Sequence, residues 1–539
     1  MASEPEPREP EVELVELRVL DGPNRFFTRP AVKLEFRADE PGRAAEAAAS
    51  AALAIRRLHV ALDLVEPKLT TRTSVDGLRT ALAFPWRRRT ISQAIATAAA
   101  RLALGRSSER RELTGLRAVA HGPLAHLPRP RIPIVAVTGT NGKSTTTRLI
   151  AHILATAGHA VGMTNSDGIY VRGELVEAGD WTGFGGAARV LAEPGLDVAV
   201  LETARGGILL RGIGYVANNV SVVTNVSADH LGLQGIDTLD EMAEVKGTVV
   251  RITRRDGWAV LNADDPRVWA MRKLTRANLY AFSLDPRAGA VEAALDAGGR
   301  AAVLDRGRLV LRGAGRRPRR LLPIEEVPVS FGGLSRFNIA NALAAAAAAD
   351  ALGLTTRQIN AGLRTFAHDA DANPGRLNLF ERRGTFALVD FAHNEAGMTG
   401  LMEVARAVAR RGRVRLAFGT AGDRTDEILS RMGAIAAGAD DLVIAEKEHY
   451  LRGRDLQEMN ELLRSGARAG GYTGEIEAHP SELAALRTLL DRSRRGDVAC
   501  VMAHVERREL FAWLAEQGYR AVSPERLRQL VAGRPADDR

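Results

Sequence analysis

One segment constrains this chain more than any other. An apolar β run, Ile134-Val135-Ala136-Val137-Thr138, passes through Gly139-Thr140-Asn141-Gly142 into Lys143-Ser144-Thr145-Thr146 and a helix reaching to near residue 157. The glycines let backbone N–H groups close on phosphate oxygens. The helix N-terminus adds its partial positive charge. Lys143 is placed to reach β- and γ-phosphates, and the Ser144 hydroxyl to ligate Mg²⁺. The spacing is not the full G-x-x-x-x-G-K-[ST], because position 137 is Val. The strand before and the helix after supply the context that such a loop needs.

The surrounding texture predicts the same α/β class. Further apolar β runs lie at 197–201, 220–226 and 258–261 with helical stretches between them, which predicts a parallel sheet covered on both faces. Upstream, 1–12 is rich in Pro and Glu and reads as a disordered tail. Residues 13–129 read as a small N-terminal α/β element with a helical linker. Strand composition at 12–20 and 31–36 flanks the turn Asp21-Gly22-Pro23-Asn24, a helical period covers 43–63, and 64–129 reads as helices and linker. The phosphate-loop unit is assigned to 130–372, with a strand-rich insertion over 280–330 and a helix near 337–352. A second α/β unit is assigned to 373–539, with β runs at 387–391, 414–418, 442–445 and 498–502. At roughly 150 residues per domain, 539 residues allow three to four such units.

The net charge of +9 invites a nucleic-acid reading, and the composition argues against it. Only six of the 74 basic residues are lysines: Lys33, Lys68, Lys143, Lys246, Lys273 and Lys447. The arginines are spread along the chain, and aromatics for base stacking are 5%. The single cysteine, Cys500, excludes an internal disulfide and a thiolate metal cluster. No basic-then-apolar secretory pattern is visible, and no uncharged apolar run reaches the ~18 residues of a membrane span. The expectation is a cytoplasmic protein without nucleic-acid or membrane partners, for which homo-oligomer formation stays open.

The string Thr138-Gly139-Thr140-Asn141-Gly142-Lys143-Ser144-Thr145 resembles the ATP loop of the Mur ligase superfamily, ATP-dependent amide ligases that include the peptidoglycan-precursor ligases and folylpolyglutamate synthase. Other strings extend the resemblance: Glu202-Thr203-Ala204-Arg205-Gly206-Gly207-Ile208-Leu209, Asp229-His230-Leu231-Gly232, Val245-Lys246 and Asn262-Ala263-Asp264-Asp265-Pro266. Phe337-Asn338-Ile339-Ala340-Asn341, Pro374-Gly375-Arg376, Asp390-Phe391-Ala392-His393-Asn394 and Gly422-Asp423-Arg424 follow. The wording is similar to the Mur-like module of cyanophycin synthetase, and Leu17-Arg18-Val19-Leu20-Asp21-Gly22-Pro23-Asn24 resembles that enzyme's start. Cyanophycin synthetase carries an ATP-grasp domain between these parts, and the stretch from 62 to 132 has no room for one.

The resemblance implies a P-loop parallel-sheet central domain followed by a Rossmann-like C-terminal α/β domain. It implies a reaction in which ATP phosphorylates a carboxylate, an amino acid amine attacks the acyl phosphate, and ADP and phosphate leave. It implies ATP contacts at Gly139, Thr140, Asn141, Gly142, Lys143, Ser144 and Thr145, at Asn262 for adenine, and at Arg376, Asp390, His393 and Asn394. It implies Mg²⁺ ligands at Ser144, Glu202 and His230, and a carbamylated Lys246 binding a second ion. Lys143, Glu202, His230 and Lys246 form the implied catalytic set. A hydroxyl and a carboxylate suit Mg²⁺, and Glu202 ends an apolar strand, where α/β sheets place ligand groups. Carbamylation needs a neutral amine, which burial favours and arginine cannot offer. For the incoming amino acid the candidates are Asp423, Arg424, Asp426, Arg452 and Arg454, the arginines by their carboxylate-matching fork. Asp180-Trp181-Thr182-Gly183 is a candidate wall of the acceptor pocket. Two positions depart from the family: Phe337 replaces its His before Asn, and Glu395 replaces its Pro after His-Asn. The expected substrates are a small-molecule or peptide carboxylate, aspartyl or cyanophycin-related, and an amino acid. The alternative is a non-catalytic ATP-binding partner of another ligase, which has less need for the metal-site residues.

Overall fold

The computed structural model describes residues 12–229 and 231–531. The N-terminal element is an antiparallel sheet of β1 (Glu13–Leu20), β2 (Ala31–Arg37), β3 (Thr70–Thr73) and β4 (Arg79–Pro85), in the order β1-β2-β4-β3. The helices Arg43–Ala61 and Arg89–Ala103 cover one face with Ala, Ile and Leu. The strands β3 and β4 correct the expectation of helices and linker over 64–129. Thr80-Ala81-Leu82-Ala83-Phe84 has the composition of a helix, but it pairs with β2 along its length and is buried. Partner strands outweigh local preference there.

The central sheet has eleven strands: β5 (Ile134–Thr138), β6 (Val161–Thr164), β7 (Gly168–Val171), β8 (Glu174–Ala178), β9 (Val198–Glu202), β10 (Asn218–Val223), β11 (Thr253–Asn262), β12 (Asn278–Ser283), β13 (Arg300–Asp305), β14 (Arg308–Gly313) and β15 (Arg319–Pro323). Their order is β15-β14-β13-β12-β11-β10-β5-β9-β6-β7-β8, parallel from β13 to β6 and antiparallel at both edges. The strands expected as an insertion over 280–330 therefore continue the sheet itself. The helix Arg336–Ala351 is buried nearly all round beside the helix Lys143–Thr156. Its alanines allow that close packing, and it brings Asn341 beneath the phosphate loop.

The C-terminal sheet contains β16 (Asn378–Arg382), β17 (Thr385–Asp390), β18 (Val414–Phe418), β19 (Asp441–Ala445), β20 (Ile476–His479), β21 (Val498–Met502) and β22 (Arg520–Ala521). The order is β20-β19-β18-β21-β17-β16-β22, with the first five parallel. The carboxyl ends of β5, β9 and β10 and those of β17 and β18 line common space, where open α/β sheets hold ligands. Among the described residues no helix is long and apolar enough to cross a membrane.

Candidate active site

The phosphate loop is built around two glycines with no room for a side chain. A Cβ on Gly139 (φ +151) would lie 1.8 Å from Thr224 Oγ1, and one on Gly142 (φ +81) would lie 2.3 Å from Asn341 Oδ1. The loop is tied to the chain after β10. The Asn141 N–H donates to Asn225 Oδ1 (2.9 Å), and the Thr224 hydroxyl donates to the Asn141 carbonyl (2.6 Å). Gly142 then caps the helix Lys143–Thr156. Ser144 and Thr145 are buried at its first turn, and Lys143 Nζ donates to the Thr140 carbonyl at 2.7 Å.

Glu202 ends β9 opposite Val137 of β5, which sets it beside the loop. It is 3% exposed, and its Oε2 has no hydrogen-bond partner among the described residues. Burial pushes the carboxyl up, against the pull of Lys143 and Ser144. Lys246 sits on the helix Leu239–Arg251, which starts in a Thr238–Glu241 capping box. It is 3% exposed and donates to the Gly139 carbonyl at 2.7 Å. Burial, reinforced by Lys143, holds its amine well below the ordinary lysine range. His230 lies outside the described residues. Its neighbour Asp229 pairs with Arg424 (2.9 Å) and stands 3.5 Å from His393 Nε2. Among the described residues no cluster of three or more His, Cys, Asp or Glu side chains forms a metal cage.

Two cavities meet at this loop. One, of about 330 Å³, is lined by Thr140 to Thr145, Asn225, Asp265, Phe337, Asn341, Asp390 and Gly397. The other, of about 560 Å³, is lined by Gly139, Asp180, Thr182, Glu202, Arg205, Asp229, Gln234, Lys246, Asp423 and Arg452. Thr140, Lys143, Ser144, Arg376, Phe391 and His393 line both. The Arg376 guanidinium lies 4.5 Å from the Phe391 ring centre, and Asp390 accepts the N–H groups of Leu377 and Ala392.

Several expected ligand contacts are otherwise engaged. Asn262 lines neither cavity: its amide donates to the Thr224 carbonyl (2.7 Å) and accepts from the Asp264 N–H (2.9 Å), so Asp265 and Asn225 front that wall instead. Asn394 is also withdrawn. Its side chain caps the helix Glu395–Ala409 and exchanges two amide hydrogen bonds with Asn141, at 3.0 and 3.1 Å. Two loops 253 residues apart are thereby clasped. Arg454 and Asp426 pair with each other at 2.9 Å away from both cavities, while Arg424 is buried. Asp423 and Arg452 form an ion pair on the larger cavity's wall. Sequence alone assigns no role to Asn225, Asn341, Arg205 or Gln234, since strand pairing, helix packing and loop placement together bring them here. For Arg205 the signal is its place just past the strand-end Glu202.

Residues 137–349 match the Mur ligase middle domain, and 375–505 match the Mur ligase glutamate ligase domain. The cyanophycin synthetase of Trichormus variabilis is 42% identical over 372 residues, covering 69% of this chain and 41% of that protein. This chain thus matches less than half the length of those relatives. A UDP-N-acetylmuramoyl-L-alanyl-D-glutamate–2,6-diaminopimelate ligase of Alkalilimnicola ehrlichii is 33% identical, covering 63% of this chain and 66% of that protein. In fold, the chain is similar to a bifunctional folylpolyglutamate synthase/dihydrofolate synthase solved with Mn, AMPPNP and L-glutamate (TM-score 0.53, 20% identity, 71% of this chain and 89% of that one). It is also similar to a pseudomurein peptide ligase type C from Methanothermus fervidus (TM-score 0.51, 20% identity, 72% and 79%). With both domain matches in order along one chain, this protein belongs to the Mur ligase superfamily.

Proposed function

We propose that the chain is an ATP-dependent ligase that activates a carboxylate as an acyl phosphate and joins it to an amino acid amine, releasing ADP and phosphate. The observation that carries this reading is the shared wall. The smaller cavity takes the nucleotide, the larger takes the carboxylate and amine, and Lys143 with Ser144 stands where they meet. The Lys143 ammonium is positioned to follow negative charge from the γ-phosphate to the acyl phosphate, and the backbone of 139–143 holds the remaining phosphate oxygens.

The residues fit a divalent cation. The orphaned Glu202 Oε2 and the adjacent Ser144 hydroxyl are hard oxygen donors that suit Mg²⁺. Such an ion, with His230 implied by family resemblance, would neutralise charge on the phosphate oxygens. Burial pushes the Lys246 amine well below its ordinary range, the direction carbamylation requires. Asp180, Thr182, Arg205, Asp423 and Arg452 would hold the carboxylate substrate and the amine. Arg205 and Arg452 offer forks to carboxylates, and Asp180 and Asp423 offer acceptors to an ammonium or a basic side chain. Family resemblance suggests an aspartyl or cyanophycin-related carboxylate, and dependence on ATP goes with a cytoplasmic setting.

The test is whether ADP and phosphate release rises only when a carboxylate and an amine are both present, with amide product by mass spectrometry. ATP binding with no such dependence would favour a non-catalytic partner subunit.

A further inference from the structure

Lys447 is one of only six lysines in an arginine-rich chain, and it is buried outside both cavities. It follows β19, and its ammonium is fully satisfied by the Met502 carbonyl (2.8 Å), Glu482 Oε1 (2.7 Å) and His504 Nδ1 (2.6 Å). An ammonium has three donors to give, and the planar fork of arginine does not fit such a compact site. Glu482, 1% exposed, also accepts the backbone N–H groups of His504 (2.7 Å) and Glu506 (2.9 Å). The buried charge pair is therefore well compensated.

His504 carries the chain of contacts onward. Its Nε2 lies 2.7 Å from the Ala392 carbonyl. A carbonyl only accepts, so Nε2 bears the proton and the bare Nδ1 accepts from Lys447. Burial, then the Lys447 charge, keeps this imidazole neutral. The ring meets Phe391 edge-on at 5.0 Å and stacks on Tyr450 at 6.0 Å. Phe391 in turn supports the Arg376 guanidinium. The Ala392 carbonyl and the Phe391 ring belong to the 390–394 loop, whose Phe391 and His393 line both cavities.

We propose that Glu482, Lys447 and His504 form a buried brace that positions the 390–394 loop, and through it Arg376 and His393, against the phosphate loop. The three are positioning residues, since none of them lines either of the two cavities. The brace rests on the ligase reading only for its effect on turnover.

The test contrasts His504→Gln, whose amide nitrogen reaches the Nε2 position and can still donate to the Ala392 carbonyl, with His504→Asn, which is too short to do so. The measurements are AMPPNP affinity by calorimetry, melting temperature, and separate kcat and KM values for ATP and the carboxylate. The brace predicts that His504→Asn weakens AMPPNP binding about tenfold and raises both KM values, while His504→Gln stays within about threefold of wild type and the two melt alike. Equal AMPPNP affinity in the two variants, or losses that merely track melting temperature, would overturn it. Nitrogen NMR of histidine-labelled wild type reads the brace without any substitution: His504 is expected as the neutral Nε2–H tautomer, and the Nδ1–H or protonated form contradicts the proposal. Affinity and tautomer are both read without amide formation. A wild type that makes no amide would therefore overturn the ligase reading and leave the brace tested on its own terms.

Discussion

Lys143 and Lys246 donate to backbone carbonyls, one against the phosphate loop and one inside the wall behind it, and the roles proposed for them are ones arginine would not readily fill. Replacing Lys143 by Ala removes the mobile positive charge at the shared wall. Turnover is expected to fall by on the order of 10²- to 10³-fold with an unchanged melting curve, and a rate near wild type would refute its role. Lys246→Arg forces a permanent charge into a fully buried site. It is expected to abolish turnover, and ¹³C-bicarbonate NMR on wild type is expected to show a carbamate carbon that this variant lacks. The place of Lys143 followed from the strand, glycine turn and helix around it, whereas Lys246 was singled out by family resemblance, 16 residues after His230. Asn225 and Asn341 were not. Their place depends on β10 pairing with β5 and on which helix packs beneath Gly142, and neither is written in local spacing.

At the scale of elements, the Asn141–Asn394 amide exchange links the phosphate loop to the first turn of the helix Glu395–Ala409. Asn394→Ala removes a cap and a clasp together. The cap alone should cost about 1 kcal/mol, read as a lower melting temperature, and loss of the clasp should weaken nucleotide binding beyond what that destabilisation explains. Unchanged nucleotide affinity would show that the clasp does not hold the cavity closed. Apolar parallel strands such as β5, β19 and β21 were legible because burial on both faces leaves nearly continuous apolar runs. The strands β7 and β8 were not: both are short, and β8 is the edge strand and exposed throughout. β4 was misread because alanine-rich composition does not distinguish a strand buried between partners from a helix.

Across the whole molecule, Asp167 ties the central and C-terminal units. It pairs with Arg148 of the helix Lys143–Thr156 (2.9 Å) and with Arg507 of the helix Arg507–Glu516 (2.7 Å). Burial pushes its carboxyl up, but Arg507 and Arg148 outweigh burial and hold it below the ordinary range. A depressed carboxylate contributes stability that is fully present above the ordinary Asp value of about 3.9 and is lost as pH falls through the folded-state value. Asp167→Asn leaves a 7%-exposed Arg148 side chain without this charge partner, expected to cost roughly 3 kcal/mol near neutrality. In melts across acid pH, the difference from wild type should shrink as pH falls, and a constant difference would contradict the assignment. The two α/β units and their order were legible from the motifs, whereas this tie joins positions 340 residues apart. The most direct test of the central claim is a screen of the twenty amino acids against β-aspartyl and γ-glutamyl acceptors, measuring ADP and product together. The account predicts at least one pair that yields an amide in equal amount to ADP. A protein that binds ATP yet shows no pair raising turnover and no amide by mass spectrometry would contradict it.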